Sequence, residues 1–316
     1  MAFQKDETDS KWWTGETLAV VTGANKGIGF EIVRQLAENG LTVVLTARDE
    51  KRGLTARKTL VDQGFNNVVF RQLDIESPQS VSDFVRWLKD SYGGLDILVN
   101  NAAVMGSTIN MEVVMNVVKD IDPTNVSFNH PSFAKIFITN YEMSKNCLEI
   151  NYYGTKRITE ALLPLFRKTP AGARIVNVSS EGGLVQWVRN DSLRMELSDI
   201  SKITEEYIDK MIEGFLDDMK NGQLEGKGWP ILNPQYCVSK LALNLYTRLL
   251  VQKLSVNEEK TIYVNNVHPG VVQTDMTNHL TGIAPSQGAE NCVRLALFLP
   301  HGVSGQFYLM KEPHSF

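Results

Sequence analysis

A glycine-rich turn near the start of the chain constrains the fold more than any other feature of the sequence. Leu18–Val21 is a short apolar run typical of a buried strand, and apolar residues then recur at helical spacing from Ile28 to Leu36. The turn between them carries Gly23, Gly27 and Gly29. Such glycines permit a tight turn and let backbone amides approach a phosphate, which the N-terminus of the following helix also attracts. The stretch predicts a dinucleotide-binding βα unit, with a tight turn that binds nothing as the alternative.

The end of the next predicted strand, within LTVVLTARDE, indicates which dinucleotide would bind. An NAD-binding chain places an acid there, roughly 20 residues past the glycines, for the ribose hydroxyls. Here Ala47 holds that position, Arg48 follows it, and Lys26 adds a second cation from within the glycine turn. Two cations without an acid suit a 2′-phosphate. The sequence therefore predicts NADPH rather than NADH, unless Arg48 is only a solvated loop residue.

Two further strands and the helices between them complete a doubly wound α/β pattern. NVVFRQLD ends at Asp74, which we expect to accept a hydrogen bond from the adenine amino group, and LDILVNNAAV is continuously apolar, as central parallel strands are. Its last residues, Asn100 and Asn101, would lie at the carboxyl edge where open α/β sheets bind ligands. The pattern predicts a polar tail over residues 1–16. Residues 17–316 would form a single Rossmann-like domain, with a parallel sheet covered by helices on both faces.

Composition and charge exclude several classes of partner. The formal net charge is −4 and no block of lysine or arginine occurs, which argues against nucleic acid and anionic membrane as partners. Cys147, Cys237 and Cys292 stand far apart and no histidines are closely spaced, so neither a disulfide framework nor a metal site is expected. The polar, acidic start and the lack of an apolar run of about 18 residues predict a cytoplasmic protein with no membrane span.

Five short motifs follow one another along the chain: TGANKGIG, NNAA, NVSS, YCVSK and HPG. In this combination the sequence resembles the short-chain dehydrogenase/reductase family from residue 17 to about 275. KNCLEINYYGTKRITEALLPL and ITEEYID resemble its plant monomeric subgroup, the salutaridine reductase and neomenthol (menthone) dehydrogenase type, of which animal carbonyl reductases are looser relatives. Ala103 departs from the family's N-N-A-G and adds a methyl group beside the expected path of the nicotinamide ribose.

The resemblance implies a catalytic set of Asn151, Ser180, Tyr236 and Lys240, and chemistry fits these residue types. Hydride transfer to a carbonyl leaves negative charge on its oxygen, which Tyr236 would protonate and Ser180 would hold. Lys240, four residues after Tyr236 on one helix face, would lower the phenol's pKa from about 10. Asn151 would hold a water that feeds protons to the lysine. Ser179 is the neighbouring candidate; strand alternation sends the two serines to opposite faces, and the register of the family's motif selects Ser180.

The same resemblance extends the cofactor site beyond the glycine turn. The family's pattern falls on positions after the third and fourth strands and in the loop that begins with HPG. The full set expected to bind NADPH is Gly23, Asn25, Lys26, Gly27, Ile28, Gly29, Arg48, Asp74, Ile75, Asn101, Tyr236, Lys240, Pro269, Gly270, Val272 and Thr274.

Two insertions separate these motifs and are expected to form lids that shape the pocket. The first spans about 105–140, and the second spans about 182–233. Within the second, TEEYIDKMIEGFLDDMKNG carries a wide apolar stripe at helical spacing. Such a stripe indicates either core packing or a lid over an apolar substrate pocket, and we favour the lid. Mass added here would block the helix pairing of compact family members, so a monomer is expected.

The function implied is NADPH-dependent reduction of a small hydrophobic substrate, a cyclic terpenoid or alkaloid ketone or aldehyde. Reduction of an enone double bond is the first alternative. A relative of the isopiperitenone reductase type does this and has a glutamate where Tyr236 stands here, so the tyrosine favours carbonyl chemistry. A non-catalytic nucleotide-binding protein on the same fold is the second alternative. The complete Asn–Ser–Tyr–Lys set argues against it.

Overall fold

A central sheet forms the middle layer of the molecule, in a computed structural model that describes residues 11–114, 135–255, 261–279, 282–299 and 302–315. Its eight strands are β1 (Leu18–Val21), β2 (Thr42–Ala47), β3 (Val68–Gln72), β4 (Ile97–Asn100), β7 (Ala173–Val178), β8 (Ile262–His268), β9 (Phe307–Leu309) and β10 (Glu312–His314). A separate antiparallel pair consists of β5 (Thr108–Ile109) and β6 (Phe137–Ile138). The sheet order is β10-β9-β8-β7-β4-β1-β2-β3, and every pairing is parallel except that of β10 with β9.

Helices cover both faces of the sheet, which confirms the predicted doubly wound fold. They are α1 (Gly27–Glu38), α2 (Glu50–Asp62), α3 (Pro78–Tyr92), α4 (Tyr141–Leu148), α5 (Thr155–Leu162), α6 (Asp191–Ser198), α7 (Glu205–Lys220), α8 (Pro234–Ser255) and α9 (Pro285–Leu297). One apolar core lies under α1, α2 and α9, and a larger one lies under α3, α4, α5 and α8. Every residue of β1, β4 and β7 is buried, as parallel strands covered on both faces must be.

The strand order determines where a ligand crevice opens. β1 pairs with β2 on one side and with β4 on the other, so the chain winds outward in both directions from β1. At such a switch point the loops after neighbouring strands diverge and leave a crevice at the carboxyl ends. The glycine turn after β1, Asn101 after β4 and Ser180 after β7 therefore approach one another.

The N-terminal segment belongs to the folded body. Trp13 is buried, its indole N–H donates to the carbonyl at the end of α1, and its ring packs edge-on against the ring that follows α9 at 5.2 Å. The guanidinium of Arg174 lies over the Trp12 ring, 5.0 Å from the centroid. The structure thus differs from the predicted polar tail for residues 11–16. Residues 1–10 lie outside the described part of the chain.

The helix predicted to be a lid covers other helices instead of the pocket. α7 buries Ile208, Met211, Ile212 and Phe215, and it packs against α4 and α8. None of the residues of α7, all of them described, lines the cavity at the crevice. The predicted position of the lid is therefore wrong, and the apolar stripe is core packing. The cavity is reached instead by the flanks of the insertion, residues 181–189 and 230–233.

Within the second insertion, the two ends of the segment that carries α6 and α7 are hydrogen-bonded to each other. The backbone amides of Arg189 and Asn190 both donate to the carbonyl oxygen of Gly228, at 2.7 and 3.1 Å. Gly228 has a φ of 77°, and a Cβ there would lie 2.5 Å from the Asn190 nitrogen. Glycine permits this close approach because it has no side chain. We refer to these three residues as the stem, from which α6 and α7 extend.

Glu205, the first residue of α7, ties the insertion to the body of the fold. Hydrogen bonds from Lys156 on α5 and Lys253 on α8 lower the pKa of its carboxyl group. We expect Glu205→Gln to reduce the free energy of unfolding by about 1 kcal/mol in urea titrations. Because the pKa is lowered, this contribution is complete above the unfolded glutamate's pKa and is lost as the pH falls through the folded value. The exposed neighbour Glu206→Gln is the matched control, and equal stability of the two variants would contradict this role.

Candidate active site

One cavity collects almost every residue predicted to bind the cofactor or to act in catalysis. It lies at the carboxyl ends of β1, β4, β7 and β8 and has a volume of about 2040 Å³, well above the ~300–1,000 Å³ of single-ligand pockets. All the residues predicted to bind the cofactor line it, and so does Ser180. Asn151 does not. The size fits a dinucleotide with a second molecule beside it.

The glycine turn is packed directly against the end of β4. Gly23 has a φ of 62°, and a Cβ on it would lie 2.8 Å from the Cα of Ala102. The side-chain amide of Asn101 donates to the carbonyl oxygens of Thr22 and Gly23, at 2.9 and 3.0 Å. A Cβ on Gly29 would lie 2.8 Å from that Gly23 oxygen. Asn101 therefore fixes the shape of the turn. Because Gly23 and Gly29 have no side chains, the turn can pack against the loop after β4.

The N-terminus of α1 faces the cavity without a side-chain cap. Lys26 stands at the cap position and makes no capping hydrogen bond, whereas α2, α3, α4, α6 and α7 each begin with a side chain that accepts from a first-turn amide. Uncapped amides at the positive end of a helix dipole suit a pyrophosphate. Thr274, in the loop after β8, comes within 3.2 Å of where a Cβ on Gly27 would stand. The residues present thus fit the phosphates of a dinucleotide.

The two cations expected to hold a 2′-phosphate each have an acidic neighbour. Lys26 lies 2.5 Å from Asp275, Arg48 lies 3.6 Å from Glu76, and all four side chains line the cavity. The hydrogen bond from Lys26 lowers the pKa of Asp275, while burial and the charge of Asp74 raise the pKa of Glu76. The sequence has no acid at the end of β2. Loops that are distant in sequence nevertheless place the carboxylates of Asp275 and Glu76 at the cavity beside these cations.

Ser180, Tyr236 and Lys240 meet on one wall of the cavity. The hydroxyl oxygen of Ser180 accepts from the amide of Gly182 at 3.1 Å, and the same hydroxyl lies beside the Tyr236 phenol, close enough to lower its pKa. Lys240, one turn further along α8, donates from Nζ to the carbonyl oxygen of Val178 at 2.8 Å. Its Nζ lies 5.7 Å from the centroid of the tyrosine ring. The two hydroxyls are therefore adjacent, and the end of β7 holds the lysine beside them.

Burial dominates the acidity of Tyr236. It raises the pKa of the phenol above the ordinary tyrosine value, while the hydrogen bond with Ser180 lowers it. Lowering of this pKa by Lys240, whose ammonium lies 5.7 Å from the centroid of the tyrosine ring, stays a prediction. A phenol that stays protonated at neutral pH is a proton donor, the form that reduction of a carbonyl requires.

Lys240 is expected to set an upper pH limit on turnover. The side chain is buried, and this desolvation lowers its pKa to about 8. If the lysine returns a proton to Tyr236 after each turnover, only its charged form has that proton. We therefore expect kcat to fall as the pH rises above about 8, by roughly tenfold per pH unit. Steady-state rates at saturating substrates measure this.

The matched variant for that pH profile is Lys240→Arg. A guanidinium keeps its charge at every accessible pH and releases no proton. The variant should be slow throughout and should show no change near pH 8. A wild-type profile that stays level to about pH 10, where a free tyrosine ionises, would contradict the role of Lys240.

Asn151 lies behind the cavity and links the segment after β4 to α8 through hydrogen bonds. It sits in a π-helical turn, Glu149–Gly154, and is fully buried. Its amide donates to the Val104 carbonyl at 2.8 Å and to the Ser239 hydroxyl at 2.9 Å, and its oxygen accepts from the Val104 amide at 2.8 Å. Protein partners thus occupy this side chain and fix its orientation, while the role of Asn151 in holding a water for Lys240 stays a prediction.

Beyond the serine and tyrosine hydroxyls the cavity wall is largely apolar. The described parts of the first insertion, 105–114 and 135–140, supply one side of it, and residues 115–134 lie outside the described chain. The flanks of the second insertion supply the other side. The large apolar side chains on these walls are Met105, Ile109, Met111, Val114, Ile136, Phe137, Trp187, Ile231 and Leu232. A hydrophobic molecule would fit against them.

Comparison with known proteins agrees with this geometry. The model of the short chain dehydrogenase family matches residues 17–192. The chain belongs to the short-chain dehydrogenase family. It is 42% identical over 306 residues to (+)-neomenthol dehydrogenase of Arabidopsis thaliana, covering 94% of this chain and 97% of the relative. It is 40% identical over 304 residues to (-)-isopiperitenone reductase of Mentha piperita, covering 92% and 95%.

A solved structure is also similar over nearly the whole chain. Salutaridine reductase from Papaver somniferum superposes with a TM-score of 0.82 at 40% identity, covering 92% of this chain and 99% of that one. The chain is therefore an oxidoreductase that uses a nicotinamide cofactor. Within the described ranges, no helix is long and apolar enough to cross a membrane, and no cluster of His, Cys, Asp and Glu could hold a metal.

The departure at Ala103 causes no backbone strain in this short-chain dehydrogenase. Ala103 lines the cavity, and its φ is not in the positive range that favours glycine. No sequence motif indicates Gln235, whose amide donates to the carbonyl oxygen of Gly106 at 2.8 Å and connects the start of α8 to the wall of the cavity. Asn244, which hydrogen-bonds with Ser179 and Gly183, also lies outside the motifs, but its spacing is a signal because Tyr236, Lys240 and Asn244 follow at intervals of four on α8.

Proposed function

We propose that the chain is an NADPH-dependent carbonyl reductase that converts a hydrophobic, cyclic ketone or aldehyde to an alcohol. The observation that carries this proposal is the adjacency of the Ser180 and Tyr236 hydroxyls on the wall of a cavity that also receives the uncapped N-terminus of α1. The first arrangement suits a carbonyl oxygen, and the second suits a dinucleotide. Both ligands can then lie in one cavity.

The described residues supply everything that the carbonyl oxygen needs. NADPH, when bound, supplies the hydride that adds to the carbonyl carbon. The hydroxyl oxygen of Ser180 accepts from the Gly182 amide, so the hydroxyl proton can rotate from Tyr236 towards the substrate oxygen. Tyr236 donates its own proton to that oxygen as negative charge develops. Lys240 then returns a proton to the tyrosine phenolate that this transfer leaves.

The protonation state of Tyr236 supports reduction as the working direction. Oxidation of an alcohol needs a phenolate to accept the hydroxyl proton, and burial raises the pKa of Tyr236 and so disfavours that form. Lys26 and Arg48 at the adenosine end support NADPH as the cofactor, because each can contact a 2′-phosphate.

The apolar walls and the relatives together support the substrate class. Nine large apolar side chains from the two insertions line the cavity that also contains Ser180 and Tyr236. The names of the relatives, neomenthol dehydrogenase and salutaridine reductase, point to cyclic terpenoid and alkaloid substrates. We propose a ketone or aldehyde of one of these classes.

Product analysis with a panel of carbonyl compounds tests the proposal. The purified chain is incubated with NADPH and cyclic monoterpenoid, alkaloid and quinone carbonyls, and the products are identified by mass spectrometry and NMR. We expect an alcohol from at least one cyclic ketone, formed in step with NADPH consumption and far more slowly with NADH. No NADPH consumption with any member of the panel would overturn the proposal.

Reduction of a carbon–carbon double bond is the second candidate. The identity to (-)-isopiperitenone reductase, 40%, is close to that with the neomenthol enzyme, 42%. A cyclic enone separates the two activities because carbonyl reduction gives an allylic alcohol, whereas double-bond reduction gives a saturated ketone. The phenol of Tyr236, placed beside Ser180, favours the allylic alcohol.

We further propose that the enzyme is a cytoplasmic monomer. α7 lies over α4 and α8, which are the helices that compact family members use for pairing. The three cysteines are buried and free, which suits a reducing compartment. Light scattering at micromolar concentration should give the mass of one chain, and a stable dimer would contradict the assignment.

A further inference from the structure

A continuous chain of buried polar side chains runs beneath the serine and tyrosine hydroxyls. It crosses from α5 through β4, β7 and β8 to α8, and successive members are joined by hydrogen bonds of 2.6–3.0 Å. Its members are Thr159, Asn100, Asn177, Thr247, Asn266, Asn244 and Ser179, and each is at most 3% exposed. The chain ends at the residue immediately before Ser180.

Asn244 is the member that forms hydrogen bonds to the Ser180 loop on both sides of the serine. Its oxygen accepts from the Ser179 hydroxyl at 2.6 Å, one residue before Ser180. Its amide donates to the carbonyl oxygen of Gly183 at 2.9 Å, three residues after Ser180. The same oxygen also accepts from the amide of Asn266 at 3.0 Å, which orients the carboxamide. One side chain thus spans the turn on which Ser180 stands.

The turn that carries Ser180 packs tightly against α8. A Cβ on Gly183 would lie 2.6 Å from the carbonyl carbon of Lys240, and a Cβ on Gly182 would lie 3.1 Å from the sulfur of Cys237. The turn therefore touches the helix that carries both Tyr236 and Lys240. Any displacement of the turn changes the distance between the Ser180 hydroxyl and the phenol.

We propose that Asn244 is a positioning residue that sets the Ser180–Tyr236 geometry for proton transfer. This inference rests on the proposed carbonyl reduction. A carboxamide suits the task because it accepts from Ser179 and donates to Gly183 simultaneously, and both partners are buried where an unpaired polar group is costly. Asn244 touches neither substrate nor cofactor, and it acts through the turn.

Four variants test the proposal. Asn244→Ala removes both contacts to the turn, and Ser179→Ala is a milder change that removes one. We expect kcat to fall about 10–100-fold in the first and about tenfold in the second, with the KM for NADPH changed by less than about threefold. Thr247→Val is the matched control, since it breaks the same polar chain one turn further along α8. It should lower Tm but leave kcat near that of the wild type.

Asn244→Asp adds a pH signature that a purely structural role would not give. A protonated carboxyl group can donate to the Gly183 carbonyl as the amide does, whereas an ionised one repels it. Burial raises the pKa of such a carboxyl group. This variant should therefore approach wild-type kcat at acidic pH and lose activity as the carboxyl ionises, a profile that the wild type does not show.

The outcomes separate this inference from the proposed function. Crystal structures of the wild type and of Asn244→Ala should show the Ser180 hydroxyl shifted from the Tyr236 phenol in the variant, whether or not a substrate has been found. An unshifted turn would overturn the inference, and so would a loss of kcat in Thr247→Val equal to that in Asn244→Ala. If the wild type reduces no carbonyl, the proposed function fails, and the crystal structures still decide the role of Asn244.

Discussion

Tyr236→Phe is expected to lower kcat for carbonyl reduction by about 10³-fold while NADPH still binds. The substitution removes only the phenolic hydroxyl, which lies beside the Ser180 hydroxyl and is the proton donor in the proposed reaction. The ring remains and the cavity keeps its shape, so cofactor affinity should hardly change. Initial rates measured by NADPH consumption and titrations of NADPH fluorescence give the two quantities separately.

Tyr246→Phe is the matched control for this substitution. Tyr246 lies on the same helix, is buried, and its hydroxyl has no hydrogen-bond partner among the described residues. Removing that hydroxyl deletes the same atom without breaking a contact, so activity should be unchanged. If Tyr236→Phe were as active as Tyr246→Phe, Tyr236 would not be the proton donor. If the wild type and both variants were inactive, the non-catalytic nucleotide-binding alternative would be correct.

Combined replacement of Lys26 and Arg48 by alanine is expected to raise the KM for NADPH by about 100-fold and to leave the KM for NADH nearly unchanged. Both cations line the adenosine end of the cavity, and a 2′-phosphate distinguishes the two cofactors. A charged hydrogen bond is worth about 1.5–3 kcal/mol, and the exposure of both side chains places the effect at the lower end. Steady-state kinetics with each cofactor at fixed ionic strength measure the change.

The control for that double variant removes two cations from elsewhere on the surface. Arg86 and Lys89 on α3 are exposed, and neither lines the cavity. Their replacement by alanine changes the net charge equally, so it isolates any long-range effect of charge on the anionic cofactor. A parallel rise in the KM values for NADPH and NADH in the Lys26 and Arg48 variant would show that these cations do not read the 2′-phosphate.

The parts of the fold that follow local patterns were predictable from the sequence. β1 has the bounds that its apolar run indicates, and α7 begins at Glu205, just after the Thr204 cap. Both depend on interactions between residues close in the chain, such as periodicity and capping. What α7 packs against was not predictable, because an apolar stripe shows only that some surface covers it. The stripe proved to cover α4 and α8.

The candidate site shows the same division between local and distant information. The cations Lys26 and Arg48 could be assigned from their positions in the glycine turn after β1 and at the end of β2, but their partners Asp275 and Glu76 come from loops far apart in sequence. The acidity of Tyr236 depends on burial, which no motif encodes. A sequence motif gives residue types and spacing, whereas desolvation and ion pairing require the assembled fold.

The stem at Arg189, Asn190 and Gly228 makes residues 191–227, the part of the second insertion that carries α6 and α7, a separable module. Because the excursion begins and ends at one hydrogen-bonded junction, its length enters the free energy of folding only through a slowly growing loop-closure cost. A module of this kind can be exchanged or resized without altering the distance between Ser180 and Tyr236, since the residues that reach the cavity lie outside it. Shortening it would uncover the apolar faces of α4 and α8. Changes in this excursion would thus act on assembly and leave the chemistry intact.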